Sequence, residues 1–148
     1  MAWRKVAYQL LGSEARLGYD EHGAPVVENM PLHIGVSHSH THVAVIISPH
    51  PCAVDIESPD RDFSHAFARY LTDTEQQLST SEHYPAVAWC AKEALYKWYR
   101  HSVSNIRDHI TLHDVDIAGG KVRGSICGSE PMDVNVECHT EYVVAYIG

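Results

Sequence analysis

An α+β fold, a twisted and mainly antiparallel sheet with helices packed on it, is predicted by three features of this 148-residue chain. Past residue 110, apolar residues alternate with polar ones over Ile110 to Ile117, Val122 to Cys127, Met132 to Cys138 and Tyr142 to Ile147, the period of half-buried strands. Gly119-Gly120 is a hairpin turn, and connections this short join antiparallel neighbours. Upstream, Val87, Ala91, Ala94, Leu95 and Trp98 recur at helical spacing, and such a stripe has to be buried against a sheet or another helix.

The remaining elements follow in order. Trp3, Val6, Ala7, Leu10 and Leu11 predict a short amphipathic helix over Ala2 to Leu11, ended by Gly12. Ala15 to Tyr19 reads as a strand, and His22-Gly23 as a turn ahead of Pro25. Leu32 to Ile47 reads as extended chain in which His38, His40 and His42 alternate. His50-Pro51 marks a turn, and Ala53-Val54-Asp55-Ile56-Glu57 a strand ended by Ser58-Pro59-Asp60. Phe63, Ala66, Phe67 and Tyr70 have helical spacing. Thr72-Asp73-Thr74-Glu75 has the capping-box pattern, which gives Glu75 a structural role. Ser79 to Tyr84 is polar loop, and Pro85 suits the first turn of the helix that follows. Asp114 and Asp116 occupy solvent-facing strand positions.

Composition narrows the classes. A hydrophobic content of 45% over 148 residues predicts one domain, 1–148, with a core of its own. No run has the length and apolarity of a membrane span, and no signal-type segment follows Met1, so a cytoplasmic location is expected. The four cysteines, Cys52, Cys90, Cys127 and Cys138, show no close zinc or redox pair and read as reduced and mostly buried. A net charge of −8 argues against general nucleic-acid binding. Six of the eleven basic residues, Arg61, Arg69, Lys92, Lys97, Arg100 and Arg107, nevertheless lie between 61 and 107, a local excess suited to an acidic protein or to phosphates.

The chemistry concentrates in two stretches. Strand alternation points Asp55 and Glu57 to one face, while Trp89, Glu93, Lys97 and Arg100 lie along one side of the helix. If the helix lays that side over the strand, three carboxylates meet beside lysines. Crowded carboxylates stay ionised only with a cation among them, and an all-oxygen set suits Mg²⁺, which completes its shell with water and phosphate oxygens. Asp55 and Glu57 also sit in a strand too apolar to hold acids without compensation.

Val-Asp-Ile-Glu followed by Trp-Cys-Ala-Lys-Glu-Ala-Leu-Tyr-Lys resembles the paired signature of the 4′-phosphopantetheinyl transferases. Ser37-His38-Ser39, Tyr19 to Pro25, and Tyr70-Leu71-Thr72 with Glu75 fall in the order of the surfactin-synthetase-activating type, here with a shortened amino-terminal half. The resemblance implies that family's α+β fold and transfer of phosphopantetheine from coenzyme A to a serine of an acyl or peptidyl carrier protein. It implies that Asp55, Glu57 and Glu93 hold Mg²⁺, that Glu93 takes the serine proton, and that Lys97 offsets charge on the leaving 3′,5′-ADP. Ser37 and His38 would contact coenzyme A phosphates, and Lys92 phosphate or the carrier. Ala24 stands where relatives commonly carry a basic residue. Self-association into a homo-oligomer is expected if the short amino-terminal half needs a second wall.

Two rival readings stand beside this one. A remnant could bind coenzyme A or a carrier without transferring anything. Alternatively, His38, His40 and His42 on one strand face could form a zinc-binding hydrolase or module, although exposure accounts for His40 and His42 more simply. Glu93 and Lys97, four apart, could also be an ordinary helix surface pair, and Trp89 is read first as a core aromatic.

Overall fold

A computed structural model describes residues 2–100, 103 and 105–148. Its elements are α1 (Ala2–Leu11), β1 (Leu17–Tyr19), β2 (Pro25–Val27), β3 (His33–His38), β4 (Val43–Ser48) and β5 (Ala53–Glu57). After a 3₁₀ turn at Ser64–Ala66 come α2 (Phe67–Tyr70), α3 (Asp73–Gln76), α4 (Tyr84–Tyr99) and α5 (Ile106–His109). The chain then runs through β6 (Ile110–Asp116), β7 (Lys121–Ile126), β8 (Met132–Cys138) and β9 (Val143–Ile147). The architecture is α+β, as expected.

The main sheet has the order β5-β9-β8-β7-β6, with every neighbouring pair antiparallel. β5 arrives from early in the chain and pairs with the last strand, Asp55 opposite Ala145. In β6 the apolar positions switch from even to odd between Leu112 and Val115. A register shift absorbs the switch: Leu112 pairs with Gly124 and Asp114 with Arg123, leaving His113 as the extra residue of a bulge.

Helix α4 lies across this sheet and makes the core. Val87, Ala91, Ala94 and Leu95 pack with Ile110, Leu112, Val122, Val134, Val143 and Ala145. Each such Val or Leu side chain, taken out of water, contributes about 1.5–3 kcal/mol. Pro85 stands in the first turn, and Arg100 caps the other end in the left-handed conformation. A smaller cluster of Trp3, Ala7, Val27 and Ile34 seats α1 over the β3–β4 hairpin.

That hairpin packs beside β5 with very little clearance. A Cβ on Gly35 would stand 2.8 Å from Ile46 Cγ2 and 3.2 Å from Ala53 Cα. Gly35→Val is therefore expected to push β3 away from β5 and lower the unfolding free energy by about 1–3 kcal/mol, read by urea denaturation. A valine variant as stable as the parent chain would mean that the hairpin does not bear on β5.

Several expectations need correction. The histidine stretch is not one strand. β3 ends at His38 and a turn reverses the chain, with Ser39 Oγ accepting from the Thr41 and His42 amides. Phe63 to Tyr70 is broken into a 3₁₀ turn and one α turn. The short helix α5, capped by Asn105 Oδ1 accepting from Asp108 N, leads directly into β6 and is not among the expected elements. Only Cys52 and Cys90 are buried, while Cys127 is exposed and Cys138 half-buried. No helix among the described residues is long and apolar enough to cross a membrane.

Candidate active site

The two stretches singled out in the sequence meet where α4 crosses the edge strand β5. Lys97 Nζ donates to Asp55 Oδ1 and to the Val54 carbonyl, both at 3.1 Å. Two helical turns earlier, Trp89 Nε1 donates to Glu57 Oε1 at 3.2 Å. Residues 89, 93 and 97 share one helix side, so these two anchors fix Glu93 between them, over the gap separating Asp55 from Glu57. Its surroundings agree: burial, and after it the Asp55 charge, raise the Glu93 carboxyl above the ordinary range, with Glu57 adding to the rise and Lys97 and Arg61 opposing it.

Asp55 is itself buried, at 5% exposure, and its carboxyl is raised first by burial and held back by Lys97. Ser37 secures it from the other side. The Ser37 hydroxyl accepts from Ile56 N at 3.1 Å and donates to Asp55 Oδ1 at 3.4 Å. The Lys97 and Ser37 bonds both go to Oδ1, and among the described residues Asp55 Oδ2 is buried with no hydrogen-bond partner. An ionised oxygen left bare in a protein interior is costly unless a cation or a proton reaches it.

The outer wall is aromatic and basic. Arg61 pairs with Glu57 Oε1 at 3.0 Å, and its guanidinium lies 5.2 Å from the Phe63 ring centroid and 5.5 Å from that of Trp89. Tyr70 meets Trp89 edge-on at 5.2 Å, and its hydroxyl donates to the Pro85 carbonyl. Trp89 is thus a half-buried wall whose indole N–H orients an acid, not a plain core aromatic. Arg61 stands four residues beyond Glu57, but across the turn closed by Arg61 N donating to the Ser58 carbonyl and not on a helix, so the spacing gives no signal of the pair.

Two predicted ligands fall elsewhere. Lys92 does not face the site: its side chain is 0% exposed, and Nζ donates to Glu75 Oε1 at 2.9 Å and to the carbonyls of Ile106 and Arg107. It is a structural cation with no free donor direction toward a phosphate. The Ser37 hydroxyl is likewise turned inward, holding β5, whereas its neighbour His38 is exposed at the end of β3. His40 is exposed in the turn, and His42 packs on Tyr142 with Nε2 3.6 Å from Glu141. Three imidazoles therefore share no face, which removes the geometry that the zinc reading required.

Among the described residues no three histidine, cysteine, aspartate or glutamate side chains form a ready-made metal cage. The donor set nonetheless fits a magnesium ion, which is commonly held by one or two carboxylates with water and phosphate completing the shell. Asp55, with Oδ2 unpartnered among the described residues and its charge acting on Glu93, offers such a partial set together with that glutamate.

A sheet with one long helix laid across it, and carboxylates and an ammonium group gathered at its edge strand, is an arrangement suited to handling phosphate esters. The family model described as the 4′-phosphopantetheinyl transferase superfamily matches residues 51–147, and the chain belongs to that superfamily. It is thereby a transferase of the phosphopantetheine-moving kind. No curated protein matches the chain by sequence.

Proposed function

We propose that the chain, acting as one domain, transfers 4′-phosphopantetheine from coenzyme A to a serine of an acyl or peptidyl carrier protein with Mg²⁺, in the manner of the surfactin-synthetase-activating type. The observation that carries this reading is the buried Asp55 Oδ2 without a hydrogen-bond partner among the described residues, on a carboxylate that Lys97 holds through Oδ1 and whose charge acts on Glu93.

Asp55, Glu57 and Glu93 would hold the magnesium ion, which when bound neutralises charge on the diphosphate. The carrier serine Oγ attacks the phosphorus that bears pantetheine. A P–O bond forms there, the bond to the bridging oxygen breaks, and 3′,5′-ADP leaves with the electron pair. Glu93 accepts the serine proton, directly or through water. Lys97, anchored on Asp55, offsets the charge on the departing nucleotide. Trp89 and Arg61 hold Glu57 in place. His38, exposed at the end of β3, is assigned to phosphate contact.

The test is incubation of the chain with coenzyme A, Mg²⁺ and a panel of apo carrier proteins. Intact-mass measurement should show a carrier gaining one phosphopantetheine group, a gain stopped by EDTA and restored by excess Mg²⁺. If no carrier gains mass, the transfer reading fails. If a gain persists through metal removal, the assignment of the three acids fails.

A further inference from the structure

Next to Asp55, on the Val54 side, lies a pocket of about 540 Å³, lined by residues of the Asp20 to Pro25 turn, of β3 and β5, and of the last turn of α4. Lys97 and Arg100 both line it. Three residues apart, they share a helix side but serve opposite ends. Lys97 is pinned on Asp55 and on the Val54 carbonyl, on the side where β5 carries the acids. Arg100 reaches away from it, with Nη1 3.8 Å from Asp20 Oδ2, and its charge acts on the Cys52 thiol in the pocket wall.

Two features mark Arg100 as more than a solvated end residue. The first is its backbone. Arg100 has φ 61° and ψ 10°, and among the described non-glycine residues only Cys127 shares a positive φ. A helix ending this way ordinarily places glycine or asparagine there, since a Cβ is strained in that conformation. A strained cationic residue at the lip of a pocket is a pointer to function. The second is its partner. Asp20 Oδ1 accepts from the amides of His22 and Ala24, both at 2.9 Å, so Asp20 is fixed in its turn and offers Arg100 only a loose, part-exposed ion pair. Such a pair contributes little and yields readily to a stronger anion.

Coenzyme A carries two anionic poles, its diphosphate and its ribose 3′-phosphate. With Lys97 and the acids committed to the first, the second requires a cation at the other end of the same cavity. We propose that Arg100 binds the 3′-phosphate of coenzyme A and so selects the complete coenzyme over its 3′-dephospho form. The assignment rests on coenzyme A as donor. A guanidinium suits it, because its forked donors match a phosphate in a way that a lysine ammonium does not.

The experiment compares 3′,5′-ADP with 5′-AMP by calorimetric titration of the full chain, alongside transfer from coenzyme A and from 3′-dephospho-coenzyme A. The parent chain should favour the 3′-phosphorylated ligand about 10-fold or more, the scale of one or two charge-assisted hydrogen bonds. Arg100→Gly should bring that ratio to within about 3-fold of unity, with Arg100→Lys between. Glycine relieves the φ of 61°, so the glycine variant should melt no lower than the parent, which separates lost selectivity from lost folding. A parent chain without preference, or a glycine variant that keeps it, overturns the proposal. If transfer is absent yet the nucleotide preference exists and falls in Arg100→Gly, the transfer reading fails and the assignment of Arg100 stands. If transfer proceeds with unchanged preference in the variant, only Arg100 is wrongly assigned.

Discussion

Asp55→Asn should abolish transfer while leaving the fold as stable as the parent or more so. Activity is expected to fall at least ~100-fold, the scale seen when a group that stabilises developing charge is lost. Stability should move the other way for a stated reason. Asp55 is buried at 5% exposure, Oδ2 has no partner among the described residues, and burial is the largest influence on its carboxyl. Asparagine keeps an acceptor for Ser37 and Lys97 and removes the charge. Lys97, about one third exposed, can turn to water. The melting temperature should therefore stay level or rise by a few degrees, corresponding to about 0–1 kcal/mol. A fall of more than ~5 °C would mean that the carboxylate holds the fold together, and its bare oxygen would no longer indicate a site kept open at the expense of stability.

The parts of this molecule legible in its sequence are those where one local rule acts alone. α1, the capping box at Thr72 and Glu75, and the strands after residue 110 follow from period and turn chemistry, and the structure has them within a residue or two. The even-to-odd switch in β6 even announces the bulge at His113. The histidine stretch misleads because alternation of polar residues is shared by strands and tight turns, and what decides is Ser39, whose hydroxyl captures two amides. At the candidate site, the meeting of Asp55 with Lys97 across 42 positions was foreseeable only through the pairing of motifs. The inward turn of the Ser37 hydroxyl depends on a hairpin docking that no local pattern encodes. Lys92 is different: it stands four after Ala88 and three before Leu95, on the buried stripe, so its helix position already contradicted an exposed role.

Lys92→Met should lower the unfolding free energy by about 3–5 kcal/mol without weakening coenzyme A binding. The pair it breaks joins four elements. Glu75 Oε1 accepts from Lys92 Nζ and from Thr72 N, and Oε2 from Leu112 N at 2.7 Å in β6, while Lys92 also ties the Ile106 and Arg107 carbonyls of α5 to α4. Burial is the main cause that lowers the Lys92 pKa, with Glu75 and then Asp108 opposing the shift and the Arg107 charge adding to it. Glu75→Ala should be the more damaging single change, because it strands a buried ammonium, an amide of β6 and the helix cap together. The double variant Lys92→Met/Glu75→Met should be less destabilised than the sum of its singles by at least ~1 kcal/mol, since it leaves no uncompensated charge. Strict additivity in urea denaturation would mean the two groups do not interact. The KM for coenzyme A separates the structural role of Lys92 from the phosphate contact that the sequence led one to expect: as a structural cation its loss lowers the amount of folded enzyme and leaves KM unchanged, whereas as a phosphate ligand its loss would raise KM.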